Sequence, residues 1–299
     1  MADAPTTIGF VGLGHMGGNM AARFLGAGYR VYGTNRTRER AQGLIEDGLR
    51  WRDTAREVAA AADVLFTSLP DDDALETAAA GADGILSGLS AGKTWIDVST
   101  VSSRVSRELA TRVRASAATM LDAPVSGSIP QVQAGTLTIM VGGDEREYAR
   151  VEPILRVLGT PILVGDHGHG QVLKLAINIS LGVQMLALAE GLLLAEHAGI
   201  DTKLALDVMT GSAIGSPMLK ARAPIVLDPP ADAWFDIRLM HKDIGLALDT
   251  ARQLHVPLPT ADRAAEILTV ARQLGYERCD IAALFHVLEQ MSDQQAKAA

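Results

Sequence analysis

The chain has 299 residues, a formal net charge of −8 and 48% hydrophobic residues, of which few are aromatic. This length allows two domains, and the negative charge argues against a nucleic-acid surface, which needs a concentrated positive field. The single cysteine, Cys279, excludes an internal disulfide and fits a reducing compartment. No basic segment precedes an apolar run near residue 1, so we expect no export signal and a cytoplasmic protein.

Strands and helices alternate in the first part of the chain. Helical patterns follow the first strand, begin at Asp72 and span residues 144–158. Apolar strand patterns cover residues 7–11, 30–33, 63–69, 94–98, 119–122, 136–141 and 161–164. This alternation is typical of α/β folds with a doubly wound, Rossmann-type sheet.

Beyond Gly170 the pattern is helical. One helix is predicted to run from Gly170 to His197, with Gly199 as its stop, and a frayed tail is expected from Ser292. The other predicted helices cover residues 203–209, 237–254, 260–274 and 281–291. We therefore predict a Rossmann domain over residues 1–166 and an all-α domain over residues 167–299, joined by a long interdomain helix.

The first predicted strand is followed by a glycine-rich turn and then a helix. In that context Gly12 permits the tight turn, Gly14 lets a pyrophosphate approach the backbone, and Gly17 lets helix and strand pack closely. A merely structural turn remains the alternative, and His15 receives no chemical role beyond lining the loop. The predicted dinucleotide contacts here are Gly12, Leu13, Gly14, His15, Met16 and Gly17.

The second strand ends in Asn35, Arg36 and Thr37, with no acidic residue before Glu39. NAD enzymes usually place a carboxylate here for the ribose 2′-hydroxyl, whereas a guanidinium suits a 2′-phosphate. The sequence therefore favours NADP (NADPH), with NAD possible as an alternative cofactor. An exposed Arg without any binding role remains the competing interpretation.

Further candidates follow the carboxyl ends of later strands, where ligands gather in doubly wound sheets. Leu69, Pro70 and Thr100 are candidates to line the cofactor, although ordinary strand-to-helix loops explain them equally well. The segment from Ser126 through Gly127 to Ser128 combines two hydroxyls with a flexible glycine, which could converge on a carboxylate. A plain turn is as good an interpretation of that segment.

Two polar residues interrupt the apolar helix that begins at Gly170. Lys174 and Asn178 are four residues apart, so they share one helix face. The apolar surroundings predict a buried helix, in which an ammonium needs a partner, a lowered pKa or both. A lysine that reaches water along its aliphatic stem is the alternative.

Four ordered segments resemble the β-hydroxyacid dehydrogenase family, which includes 3-hydroxyisobutyrate dehydrogenases and tartronate semialdehyde reductases. They are residues 9–17, residues 122–128 with Gly-Thr-Leu-Thr at 135–138, residues 170–174 with Asn178, and Lys242 with Asp243. The resemblance covers almost the whole chain.

The resemblance implies roles for individual residues. Lys174 is the catalytic lysine and Asn178 its companion, while Ser126, Gly127 and Ser128 form the substrate-carboxylate loop. Thr100 contacts the nicotinamide side, and Lys242 and Phe235 reach the cofactor from the helical domain. The triplet Asn35-Arg36-Thr37 looks like that of NADP-preferring members.

Two departures from the family pattern matter. Ser128 replaces the second glycine of the usual Ser-Gly-Gly loop, so substrate preference is left open. Leu181 stands where the 6-phosphogluconate branch carries a glutamate that assists decarboxylation, so no loss of CO₂ is expected.

The implied reaction is hydride transfer between NADP(H) and a small β-hydroxy acid or semialdehyde, with Lys174 as general acid/base. The expected partners are the small-molecule substrate and further copies of the chain in a homodimer or homotetramer, with no nucleic acid, membrane or metal. An imine reductase-like NADPH enzyme and a non-catalytic NADPH-binding module remain alternatives.

Overall fold

The computed structural model describes residues 6–298, with side chains described through residue 294. Nine strands form one sheet in the order β3-β2-β1-β4-β5-β6-β8-β7, and β9 pairs with β8. The strands are β1 Thr7–Val11, β2 Arg30–Thr34, β3 Arg50–Trp51, β4 Val64–Thr67, β5 Thr94–Asp97, β6 Thr119–Asp122, β7 Val125–Ser126, β8 Leu137–Gly142 and β9 Gly159–Gly165.

The first six strands are parallel, and their order is the doubly wound one predicted from the alternating pattern. The chain moves outward from β1 to β3 and then returns to β4 on the other side of β1. This reversal creates a crevice at the carboxyl ends of β1 and β4, where such folds bind ligands. β8 runs antiparallel to β6 and β7, and β9 runs parallel to β8.

Eight helices belong to this part of the chain. They are α1 His15–Gly26, α2 Gln42–Glu46, α3 Ala55–Ala61, α4 Asp72–Ala79, α5 Ile85–Gly88, α6 Ser103–Arg114, α7 Ile129–Ala134 and α8 Glu145–Leu155. Neighbouring residues of a strand belong to different hydrophobic cores. Phe66 packs with α1 residues such as Phe24 in one core, whereas Leu65 packs with residues of α3, α4 and α6 in the other. Because side chains alternate along a strand, helices cover both faces of the sheet.

Between Ser128 and Gly135 lies the short helix α7, which the sequence did not predict. Ser128 precedes the helix, Pro130 occupies its first turn, and Gly135 ends it in the left-handed conformation at φ 70°. A proline in the first turn and a glycine just beyond the last are ordinary helix boundaries. The helix is only 6 residues long, too short for a periodic apolar pattern.

The remaining helices form a second compact unit. They are α9 His169–His197, α10 Thr202–Gly211, α11 Pro217–Arg222, α12 Ile237–Leu254, α13 Pro259–Gln273 and α14 Leu284–Ala298. The chain divides into units Met1–Lys174 and Leu175–Ala299, so the division falls inside α9, whereas the predicted domain boundary followed residue 166. We call these units the sheet unit and the helical unit.

The long helix α9 ends at His197, as the sequence predicted. A buried helix was expected here, and within this chain α9 is only partly buried, because Leu173 is 40% exposed and Leu194 is 75% exposed. Its inner face, including Met185 and Leu192, packs in the core of the helical unit.

Within the described residues, α9 has the length and composition of a membrane span, a test that a core helix also passes. The helix α14 continues to Ala298, past Ser292, from which a frayed tail was expected.

Candidate active site

The glycine loop after β1 has the conformation that its sequence predicts. Gly12 lies at φ 94°, and its N–H donates to the Thr34 carbonyl oxygen at 3.1 Å. A Cβ at Gly12 would overlap the carbonyl oxygen of Ser68, and a Cβ at Gly17 would overlap that of Gly12. The loop is therefore pressed against the end of β4, at the crevice where the strand order reverses.

Gly14 differs from the other two glycines of the loop. A Cβ built there meets no protein atom within 4 Å, and the residue is exposed. Gly14 precedes α1 without a side-chain cap, and the first turn of α1 carries no acidic residue. Uncapped N–H groups and the helix dipole favour an anion at this end. The loop fits a dinucleotide pyrophosphate, which would approach the backbone where Gly14 leaves space.

The end of β2 separates a structural residue from two exposed ones. Asn35 accepts a hydrogen bond from the Leu13 N–H at 3.2 Å and donates to the Thr37 carbonyl at 3.1 Å. It therefore ties the glycine loop to the segment that follows β2. Arg36 and Thr37 are exposed beside it, available to a ligand phosphate.

A buried carboxylate organises the loops after β4 and β5. Asp97 Oδ1 accepts hydrogen bonds from the hydroxyls of Thr67 at 2.7 Å and Ser99 at 2.6 Å. The Ser99 hydroxyl in turn accepts from the Leu69 N–H at 2.9 Å. The predicted cofactor-lining residues Leu69 and Thr100 are thus brought together through Ser99, whereas Pro70 is exposed.

Asp97 was not identified from the sequence, although its position at the end of a buried strand was a usable signal. It is fully buried, and its Oδ2 has no hydrogen-bond partner among the described residues. Burial raises the pKa of Asp97 from 3.8 to about 6, against the opposing effect of the Ser99 and Thr67 hydrogen bonds. The neighbouring Asp122 carboxylate adds to this rise.

The predicted substrate loop has one hydroxyl already engaged. Ser128 donates from both its N–H, at 2.9 Å, and its hydroxyl, at 3.0 Å, to Gln131 Oε1. Gly127 lies at φ 129° and Ser126 is half-buried at the end of β7. The Ser128 side chain therefore shapes the loop, and Ser126 is the hydroxyl better placed to serve a ligand.

The start of α9, which carries Lys174, is fixed by a second buried carboxylate. Asp122 accepts from the N–H groups of Gly168 at 2.7 Å and Gln171 at 2.9 Å. Burial raises the pKa of Asp122, and burial likewise lowers the pKa of the adjacent His167. Lys174 itself is half-buried rather than fully buried. Like Asp97, Asp122 was absent from the predicted site residues.

The helical unit contains the other predicted residues. Asn178 is buried, and its Nδ2 donates to Asp243 Oδ2 at 2.5 Å. Asp243 Oδ1 lies 3.0 Å from Lys242 Nζ, so this carboxylate joins Asn178 to Lys242. Asp243 was read only as part of a motif, whereas its burial makes it a structural centre of this cluster.

Phe235 is half-buried in the loop before α12. Its N–H donates to Asp280 Oδ2 at 3.0 Å, and Asp280 also accepts from the N–H of Trp234 at 2.9 Å. Asp280 therefore fixes two consecutive backbone N–H groups, those of Trp234 and Phe235. Leu181 packs at the edge of the helical core, where a carboxylate would have no place without cost.

In the described part of the chain, no three His, Cys, Asp or Glu side chains are grouped to hold a metal ion. The glycine loop, Arg36, Thr37, Leu69, Thr100, Ser126 and Lys174 belong to the sheet unit, and Asn178, Phe235 and Lys242 belong to the helical unit. Each unit thus presents its own set of candidate residues.

Two family models match consecutive parts of the chain. Residues 7–167 match a model described as the NAD binding domain of 6-phosphogluconate dehydrogenase. Residues 168–288 match one described as NAD-binding of NADP-dependent 3-hydroxyisobutyrate dehydrogenase.

The chain is similar to several known proteins over nearly its whole length. It is 36% identical over 287 residues to 2-(hydroxymethyl)glutarate dehydrogenase of Eubacterium barkeri, covering 95% of each protein. It is 36% identical over 280 residues to 3-hydroxyisobutyrate dehydrogenase of Pseudomonas aeruginosa, covering 91% of this chain and 94% of the relative. The solved structure of Mycobacterium tuberculosis 3-hydroxyisobutyrate dehydrogenase with L-serine is 32% identical, with a TM-score of 0.83, covering 95% and 99%.

Proposed function

Because the chain belongs to the β-hydroxyacid dehydrogenase family, we propose that it is an NADP-preferring oxidoreductase for a small β-hydroxy acid or its semialdehyde. The observation that carries the proposal is a half-buried lysine, Lys174, in the same unit as a glycine loop shaped for a dinucleotide. The glycine loop supplies cofactor binding, and the lysine supplies a proton donor or acceptor.

When bound, the nicotinamide supplies or accepts the hydride. The N–H groups at the start of α1 hold the pyrophosphate, with Gly14 leaving room for its approach. Arg36 and Thr37 are assigned to the 2′-phosphate because both are exposed after β2. The preference for NADP over NAD rests on that assignment.

Lys174 is proposed as the general acid/base. In oxidation the neutral amine takes the proton of the substrate hydroxyl, and in reduction the ammonium donates a proton to the forming alkoxide. Asn178 is proposed to orient the substrate hydroxyl. This role is supported by its Oδ1, which is buried and has no hydrogen-bond partner among the described residues, while Asp243 holds its Nδ2.

The substrate carboxylate is assigned to the loop at Ser126 and Gly127. Ser126 contributes its hydroxyl and the backbone around Gly127 contributes N–H groups, whereas Ser128 keeps the loop in shape through Gln131. With Leu181 in place of a glutamate, the reaction proceeds without decarboxylation.

The test of this function is a screen for NADPH consumption with C2 to C5 semialdehydes, repeated in reverse with the hydroxy acids. Lys174→Ala is expected to lower kcat by about 10²-fold or more, as for loss of a positioned acid/base. Lys203→Ala is the matched control, because Lys203 is exposed and pairs with the exposed Asp207. Near-normal turnover by Lys174→Ala would refute the catalytic role.

Two other results would replace the proposal. Turnover of cyclic imines without turnover of semialdehydes would indicate an imine reductase. Tight NADPH binding without turnover of any substrate would indicate a non-catalytic binding module.

The cofactor preference is tested by comparing kcat/KM for NADPH and NADH. The unaltered protein is expected to favour NADPH, and Arg36→Ala is expected to lower that ratio by about 10-fold, since a charged hydrogen bond contributes roughly 1.5 kcal/mol or more. Arg56→Ala, which removes an exposed arginine paired with Asp83, serves as the control. A preference for NADH in the unaltered protein contradicts the assignment.

We also propose that the protein is cytoplasmic and works as a homodimer or homotetramer. Exposed apolar side chains on α9 and α10, including Leu194 at 75% and Val208 at 62%, support an association surface. Light scattering coupled to size-exclusion chromatography measures the oligomeric state, and a monomer at working concentration would contradict the proposal.

A further inference from the structure

A fully buried glutamine connects the lysine-bearing helix to the loop after β5. Gln171 is the third residue of α9 and is 0% exposed. Its Nε2 donates to the Ser99 carbonyl at 2.9 Å, and its Oε1 accepts from the Val101 N–H at 3.1 Å. The carboxamide therefore brackets residue 100 from both sides along the chain.

The same glutamine is fixed from behind. Its own N–H donates to Asp122 Oδ2, and the other oxygen of Asp122 accepts from Gly168, so the first turn of α9 is tied to the end of β6. Ser99, whose carbonyl accepts the Gln171 hydrogen bond, is also fixed, because the Ser99 hydroxyl and N–H both donate to Asp97. Hydrogen bonds to buried carboxylates therefore fix both Gln171 and Ser99.

Gln171 lies three residues before Lys174, and helix geometry puts residues three apart on one face about a turn from each other. The side chain that grips the loop around Thr100 therefore belongs to the same helical turn that supports Lys174. A displacement of that loop relative to the helix would require breaking two buried hydrogen bonds, each costly to leave unmade.

We propose that Gln171 is a positioning residue for the reaction: its carboxamide holds the Thr100 loop at a fixed distance from Lys174. This inference rests on the proposed function, in which Lys174 transfers the proton, and on the contact with the nicotinamide side that the family resemblance implies for Thr100. Hydride and proton transfer each tolerate little misplacement, since a shift of about 1 Å can cost about 10²-fold in rate.

The test compares three substitutions with a control on the same helix. Gln171→Met keeps the length and removes both hydrogen bonds, and Gln171→Asn keeps the amide but shortens the side chain. Gln171→Glu keeps the acceptor for Val101 but turns a second carboxylate oxygen toward the Ser99 carbonyl. Gln184→Glu is the control, because Gln184 bonds only to the Ser180 hydroxyl within α9.

In assays on the full chain with NADPH and the best semialdehyde, Gln171→Met and Gln171→Asn are expected to lower kcat by about 10- to 100-fold. The Kd for NADPH is expected to change less than about 3-fold, because the pyrophosphate and 2′-phosphate contacts lie elsewhere. A purely structural glutamine would lower the melting temperature and leave kcat of the folded protein unchanged.

The Glu variant adds a readout that a structural role would not move. A protonated glutamic acid has the same donor and acceptor as glutamine, so the ratio of its kcat to that of the unaltered protein should rise as the pH falls. The ratio for Gln171→Met should stay flat with pH, because the nearby titratable groups Asp97, Asp122 and His167 are present in both proteins being compared.

The outcomes separate this inference from the proposed function. If the unaltered protein turns over a semialdehyde and the folded Gln171 variants keep kcat within about 2-fold, the inference is overturned and the function stands. If the unaltered protein turns over no substrate, both fall. Should Gln171→Met fail to fold, Gln171→Asn and the pH ratio of Gln171→Glu decide.

Discussion

The buried Asp97 predicts an unusual pH dependence of stability. Its pKa is about 6 in the folded protein and 3.8 when unperturbed, so the folded state holds this proton more tightly than the unfolded chain does. The stability that follows from protonation is therefore fully present below pH 3.8 and is lost as the pH rises through about 6. A difference of about 2 pKa units corresponds to about 3 kcal/mol over the whole titration, of which about 2.5 kcal/mol is lost between pH 4 and pH 7.

Asp97→Asn removes that titration with little change in shape. The amide Oδ1 still accepts from Thr67 and Ser99, and the Nδ2 takes the place of an oxygen that has no partner among the described residues. The cost of that unpaired group is independent of pH. The difference in unfolding free energy between the two proteins should therefore change by about 2.5 kcal/mol from pH 4 to pH 7 in favour of the variant.

The assay is urea unfolding at half-unit pH steps, with Trp95 as the reporter. Trp95 donates to the Thr67 hydroxyl at 2.9 Å and so reports on the surroundings of Asp97. Replacing Trp51 and Trp234 by Phe in both proteins leaves it as the sole tryptophan. His167 is present in both proteins, whereas the Asp122 carboxylate contributes to the raised pKa of Asp97, so the pH-dependent difference belongs to the Asp97–Asp122 pair. Parallel stability curves for the two proteins would show that Asp97 is ionised at no cost and refute the reasoning.

Two further predictions use matched pairs. Gly17→Ala should lower the free energy of unfolding in urea by about 1–3 kcal/mol, because its Cβ would overlap the Gly12 carbonyl oxygen. Gly14→Ala should change that free energy by less than about 0.5 kcal/mol, because its Cβ meets no protein atom. The same Gly14→Ala variant should weaken NADPH binding at least 10-fold in a fluorescence titration. Unchanged NADPH binding by Gly14→Ala would contradict the assignment of Gly14 to the pyrophosphate, and equal loss of stability in both variants would contradict the open space at Gly14. Arg222→Met should cost about 3 kcal/mol in urea unfolding because it leaves the buried Asp280 without its cation, while Arg252→Met, which removes an exposed pair, should cost under about 1 kcal/mol. A similar loss of unfolding free energy for both variants would mean that the buried pair contributes no more to stability than the exposed one.

Local sequence patterns predicted many of the strands and helices. The strand over 119–122 and the helix over 237–254 were predicted with the bounds that the structure has, because strong apolar periodicity and flanking turn residues mark both ends. Short elements such as α7 and α11 were missed, since six residues hold too little of a helical period to be distinguished from a loop.

The candidate site divides in the same way. Motif residues such as Gly12 and Lys174 were accessible to sequence reasoning because each sits at a fixed offset from a strand or helix boundary. Asp97 was not identified, and Asp122 and Gln171 were given no role although both lie in segments that carry the family resemblance. A buried polar residue is recognised by its partners, and those partners lie up to 72 residues away in the chain.

The sequence by itself determined the order of strands and helices, the glycine loop, the lysine-bearing helix and the membership of the family, since each of these depends on local spacing. Only the tertiary structure decided which hydroxyl of the Ser126–Ser128 loop is already engaged, that Gly14 alone of its motif faces open space, and that Asp97 is buried. Those features arise where chain segments distant in sequence pack together, and burial, hydrogen bonding and pKa are properties of that packing.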